Sequence, residues 1–184
     1  ERPRHGGENA FAKASLLHGD TVWGMMLRDQ QAALDLAVAE LEVDASRIAA
    51  LGLSMGASLA WWLAALDERI KVCIDLCCMT DFHAAIETGG IDGHGIYYCV
   101  PRLLKHFSTA DIVALIAPRP HLSLNGRLDP LTPETGLRRI DLAMRQCYRQ
   151  FGASAAWRME VHDIGHQETP AMRQEVLDFL GRWL

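Results

Sequence analysis

The sequence predicts an α/β domain built on a parallel sheet with helices on both faces. Three observations carry this expectation. Four short apolar runs of strand length recur along the 184 residues. Segments with helical periodicity separate them, the alternation that makes parallel βαβ units. One run, residues 71–79 (KVCIDLCCM), is almost continuously apolar, as a strand covered on both faces tends to be.

Taken in order, residues 1–9 are polar and aperiodic and lack the apolar centre of a signal peptide. Residues 1–20 therefore read as a polar N-terminal segment. Over 21–41 a helical stripe is formed by Trp23, Met26, Leu27, Leu34, Ala37, Val38 and Leu41, with Asp20 or Thr21 placed to cap it. Residues 43–47 read as a turn, Ile48–Leu53 as the first strand, 56–66 as a helix and 71–79 as the second strand. Glycines at 89, 90, 93 and 95 punctuate residues 80–108, a lid-like insertion inside one domain spanning 1–184. A helix over 109–116 stops at Ala117-Pro118. The third strand covers 120–125, and a helix over 133–151 has Gly152 just past its end. The fourth strand covers 155–161, and an amphipathic helix opening on Pro170 closes the chain.

Composition narrows the function classes. Hydrophobic residues make up 49% and charged residues 22%, the balance of a globular domain. A net charge of −5 with scattered arginines leaves no basic surface for nucleic acid. No apolar run approaches the roughly 18 residues of a membrane helix. The five cysteines (73, 77, 78, 99 and 147) are odd in number and lack CxxC pairing, which argues against a disulfide framework or a zinc site. Three of them sit in the apolar 71–79 run and read as small hydrophobes, which suggests a reducing, cytoplasmic compartment. Nothing in the sequence sets an oligomeric state.

The sharpest chemical feature is Gly52-Leu53-Ser54-Met55-Gly56, a G-x-S-x-G where a strand runs into a helix. The glycines permit a tight turn that lifts the serine hydroxyl above the sheet edge. The helix then aims its N-terminus at the site, and the Met55 N–H can donate to a developing oxyanion. Chance alone produces the pattern in about one chain in twenty of this length, so its strand–turn–helix setting has to support it. A nucleophilic serine also needs a base, and the base an orienting carboxylate. Asp129 lies in the loop after the third strand and His166 in the loop after the fourth. All three thus fall at one edge of a parallel sheet, where such folds bind ligands. Their chain order, Ser then Asp then His, is that of the α/β-hydrolases.

The sequence resembles that superfamily, and within it bacterial esterases similar to dienelactone hydrolases and acetylxylan esterases. The resemblance is carried by WGMMLRDQQAALDLA (23–37), VDASRIAALGLSMGA (43–57), IAPRPHLSLNGRLDPLTP (116–133) and GHQETPAMRQEVLDFL (165–180). It implies Ser54 as nucleophile, His166 as general base and Asp129 as the acid. It also implies hydrolysis of a small-molecule carboxylic ester, of the acetyl type, through an acyl-enzyme and without a cofactor. The same three residues would serve a serine peptidase or a dienelactone-type hydrolase. The family has earlier strands, one of which leads to a second oxyanion donor, and none is visible before Ile48. The expectation is therefore the C-terminal portion of a longer hydrolase, and an inactive fragment is the non-enzymatic alternative.

Other residues compete for roles. Asp81, after the second strand, is a rival acid or a turn-capping carboxylate. His162 and His166 have metal-like spacing, but no third ligand accompanies them. His18-Gly19 precedes a helix rather than following a strand, so it reads as a loop. His94, Tyr97 and Tyr98 in the insertion are candidate walls of a substrate pocket, with core packing the alternative for the tyrosines. Trp61 and Trp62 read as core.

Overall fold

The computed structural model describes residues 6–40 and 42–184. Four strands, Ile48–Leu53 (β1), Ile70–Leu76 (β2), His121–Gly126 (β3) and Trp157–His162 (β4), pair in parallel in the order β1-β2-β3-β4. Each crossover carries at least one helix, which brings every strand's C-terminal end to the same edge. The helices are Gly6–Leu17 (α1), Val22–Glu40 (α2), Met55–Leu66 (α3), Phe82–Glu87 (α4), Thr109–Val113 (α5), Glu134–Gln150 (α6) and Pro170–Trp183 (α7).

The two-residue period of the strands divides the core. Val72, Ile74 and Leu76 of β2, with Leu122 and Leu124 of β3, meet Met172, Val176 and Phe179 of α7 on one face. On the other face Trp23 and Leu27 of α2, Trp61 and Leu63 of α3, and Leu137, Ile140 and Met144 of α6 form the larger cluster. Trp61 and Trp62 stack at 5.3 Å and are core, as their place on α3 suggests. Thr21 is the residue that caps α2, accepting from the Gly24 N–H at 3.0 Å. The predicted stripe's last member, Leu41, lies outside the described residues.

Two expectations need correction. The polar start is irregular at most in part, since residues from Gly6 onward form α1, which buries Ala12 and Ser15. Alanine at positions 10, 12 and 14 supplies the helical propensity that a search for apolar periodicity overlooks. Residues 1–5 lie outside the described residues. The second strand stops at Leu76, because Cys77 turns to φ 55°; Cys78 and Met79 are apolar because they are buried, not because they pair. The 80–108 insertion is built of α4 and 3₁₀ turns at Gly90–Gly93, Ile96–Tyr98 and Leu103–Lys105.

Among the described residues β1 has a strand neighbour on one side only. Leu51 and Leu53 are each 44% exposed there, and a groove of about 430 Å³ runs beside the edge between α2 and α3. No described helix is long and apolar enough to cross a membrane.

Candidate active site

Ser54 sits between β1 and α3 at φ 57°, ψ −126°, a conformation that strains a residue with a side chain. Two features hold it there. The Ser54 N–H donates to the Leu76 carbonyl at 2.9 Å, which pins the turn to the neighbouring strand. Gly52 lets α3 fold back over β1, since a Cβ at Gly52 would fall 2.5 Å from the Ala57 nitrogen and overlap the Gly56 carbonyl. The sharp turn leaves the serine hydroxyl at the sheet edge. It also leaves the Met55 and Gly56 amides at the start of α3 without intrahelical partners, whereas the Ala57 N–H already donates to the Ser54 carbonyl at 2.9 Å.

His166 and Asp129 arrive from the loops after β4 and β3. His166 Nδ1 lies 2.7 Å from Asp129 Oδ2, and His166 Nε2 lies 2.7 Å from Ser54 Oγ. Nδ1 donates to the carboxylate in this arrangement, which leaves Nε2 to accept the serine proton. The Asp129 side chain is fully buried, whereas that of His166 is 31% exposed. The carboxylate's other oxygen accepts the Leu131 N–H at 3.0 Å.

The two loops are laced together. Arg127 N–H donates to the His162 carbonyl at 2.8 Å and Leu128 N–H to that of Ile164 at 2.9 Å. Gly126 is the contact point: a Cβ there would lie 2.5 Å from the Ile164 carbonyl oxygen and overlap that of Gly165. From below, the Cys77 thiol donates to the Gln167 carbonyl at 3.3 Å. Burial raises the pKa of that thiol above its ordinary value, and the nearby Asp129 charge adds to the rise.

No protein-family model matches the sequence. It is 47% identical over 177 residues to YtaP of Bacillus subtilis (strain 168), a protein named as a candidate hydrolase, covering 96% of this chain and 59% of that one. Among solved structures, a glucuronoyl esterase from Solibacter usitatus superposes with a TM-score of 0.71 at 16% identity, over 89% of this chain and 49% of that one. A glucuronoyl esterase from Caldicellulosiruptor kristjansonii gives 0.64 at 22% identity, with the same coverage. The chain has the α/β-hydrolase fold. It spans 59% of the length of its Bacillus relative and about half that of the esterases.

Within this α/β-hydrolase fold the remaining candidates separate. Asp81 is buried and caps α4, accepting from the Ala84 N–H at 2.8 Å and pairing with Arg139 at 2.9 Å. It is occupied as a cap and ion-pair partner, while Asp129 meets His166. His162 Nε2 lies 3.3 Å from Glu175 of α7. The described residues contain no group of three or more His, Cys, Asp or Glu placed to hold a metal ion. His18 ends in the turn after α1. The expectation that Tyr98 lines a pocket fails, because it is 2% exposed and packs at 4.8 Å on both Trp23 and Phe82. Tyr97 is half-buried and stacks on Trp23. His94 Nε2 lies 3.0 Å from the Leu131 carbonyl, beside the Asp129 loop.

One group was not anticipated. Asp75, His121, Ser123 and Asn125 are fully buried beneath the site. Asp75 Oδ2 meets His121 Nε2 at 2.7 Å, and its Oδ1 accepts from Ser123 Oγ at 2.8 Å. Asn125 donates to Ser123 Oγ at 2.9 Å and accepts from the Met79 N–H at 3.4 Å. The signal was present in the polar alternation of His121, Ser123 and Asn125, which in a strand shares one face.

Proposed function

We propose that this chain is a serine hydrolase that cleaves carboxylic esters through an acyl-enzyme, with small acyl groups of the acetyl type as its substrates. The single observation that carries the reading is the unbroken hydrogen-bond chain from Asp129 through His166 to Ser54. Those residues are separated by 37 and 112 positions in sequence, so only the fold brings them into line.

Ser54 Oγ attacks the ester carbonyl while its proton passes to His166 Nε2. The carbonyl π electrons move to oxygen, and the Met55 N–H at the start of α3 stabilises the resulting oxyanion. Collapse expels the alcohol, which takes the proton from His166 and leaves the acyl group on Ser54. Water repeats the sequence in the second half, releasing the acid and restoring the serine. Asp129 holds the imidazole in the tautomer with Nδ1 protonated and stabilises its charged form. No cofactor enters these steps.

The similarity to enzymes named as esterases favours ester over amide cleavage, and the resemblance to dienelactone hydrolases and acetylxylan esterases favours a short acyl group. Intact mass after incubation with a fluorophosphonate tests the serine. One adduct on the parent and none on Ser54→Ala is the expected result; an unlabelled, folded parent refutes the reading. Turnover of p-nitrophenyl acetate, a lactone, an aminoacyl anilide and a methyl glucuronate then separates esterase, lactonase and peptidase. Preference for the anilide would overturn the ester assignment.

A further inference from the structure

We propose that His94 is a positioning residue for the Asp129 carboxylate, acting through Leu131 rather than through contact with substrate. The proposal rests on the hydrolase reading of Ser54, His166 and Asp129. The Leu131 carbonyl is held by two donors from different segments, His94 Nε2 at 3.0 Å and Thr80 Oγ1 at 3.1 Å. The N–H of the same residue donates to Asp129 Oδ1 at 3.0 Å, while Asp129 Oδ2 faces His166. Leu131 is thus fixed in two adjacent peptide planes, one tied to the insertion and one to the carboxylate.

His94 is itself held. Its ring packs on Tyr98 at 5.5 Å, and Tyr98 is sealed against Phe82 and Trp23. Gly93 lies so close to the Leu131 side chain that a Cβ would overlap it. The insertion is therefore seated on the acid loop, and His94 is the hydrogen bond that registers the two. Without that donor the Leu131 carbonyl keeps only Thr80, the loop gains freedom and the carboxylate's alignment on His166 loosens. Alignment errors of this kind lower kcat, because the proton acceptor is misplaced in the transition state.

Two substitutions separate the hydrogen bond from the packing. His94→Phe keeps a ring against Tyr98 and removes the donor; His94→Gln removes the ring and keeps an amide donor at similar reach. In the purified chain, His94→Phe is expected to lower kcat on p-nitrophenyl acetate by roughly ten- to a hundredfold with KM within about twofold. His94→Gln should recover most of the loss. A second readout does not need turnover: the low-field proton resonance of His166 Nδ1–H should shift upfield or broaden in His94→Phe and persist in His94→Gln. If the resonance responds while parent and variants alike hydrolyse nothing, the positioning role stands and the hydrolase reading falls. An unchanged resonance in His94→Phe overturns the positioning role. So does a rise in KM at constant kcat, which marks a substrate contact, or equal losses in both variants with lowered Tm, which mark packing alone. Should His94→Phe not fold, His94→Asn, whose shorter amide falls short of Leu131, takes its place.

Discussion

Gly126→Ala tests whether the close approach of two loops sets the geometry of the proposed catalytic site. The added Cβ would sit 2.5 Å from the Ile164 carbonyl oxygen and 3.1 Å from the Gly165 carbonyl carbon. Ordinary contact begins near 3.4 Å, and the Gly165 carbonyl oxygen lies closer still, so the backbone leading into His166 must retreat by about 1 Å. Neither partner can rotate away, because both are main chain and Leu128 N–H is bonded to the Ile164 carbonyl. A retreat of that size, carried through to the imidazole, stretches the 2.7 Å contact between His166 Nε2 and Ser54 Oγ toward the limit of hydrogen-bonding range. Misplacement on this scale costs about a hundredfold in rate, equivalent to about 2.7 kcal/mol of barrier. Overpacking adds about 1–3 kcal/mol of lost folding stability. The control is Gly165→Ala, one residue before the histidine, where an added Cβ meets nothing within 4 Å. Steady-state turnover of p-nitrophenyl acetate and the rate of fluorophosphonate labelling read the first effect, and urea unfolding reads the second. If Gly126→Ala labels and turns over like the parent, or if Gly165→Ala is equally damaged, the close approach does not hold the histidine and the reasoning is wrong.

Ser123→Ala removes the donor to Asp75 Oδ1 inside the buried network and should cost about 1–3 kcal/mol in urea unfolding; a loss below about 0.5 kcal/mol would show that the network tolerates the gap. Arg69, bonded to Asp67 at 2.6 Å and 2.9 Å, holds the Asp67 carboxyl below its ordinary value of 3.8. A depressed folded-state value stabilises the fold above the unfolded value, and the gain is lost as pH falls through the depressed one. Asp67→Asn should therefore be less stable than the parent at pH 7, by less than about 1 kcal/mol because Arg69 is partly exposed. The difference should close as pH falls below 3.8, and a gap that stays constant with pH would place its origin elsewhere.

The sheet was legible because burial writes itself into composition. β1 matches its expected bounds, and β2, β3 and β4 start or end within three residues of theirs, since a strand covered on both faces needs a run of apolar residues. Ser54, Asp129 and His166 were legible for a related reason: in a parallel sheet the loops after successive strands share one edge, so loop position stands in for spatial proximity. Helix α1 was not legible, because alanine-rich propensity leaves little periodic pattern. Tyr98 was left open between pocket wall and core, because an aromatic in a glycine-punctuated segment looks alike in sequence whether it faces a pocket or a core. The chain order by itself determined the strand count, the parallel layering and the identity of the three candidate residues, for each depends on local pattern and connectivity. Only the tertiary structure decided that Asp81 caps α4, that His94 reaches Leu131 and that Gly126 touches the histidine loop. Each of these depends on distances between segments far apart in sequence, and such distances are set by packing, which no local pattern encodes.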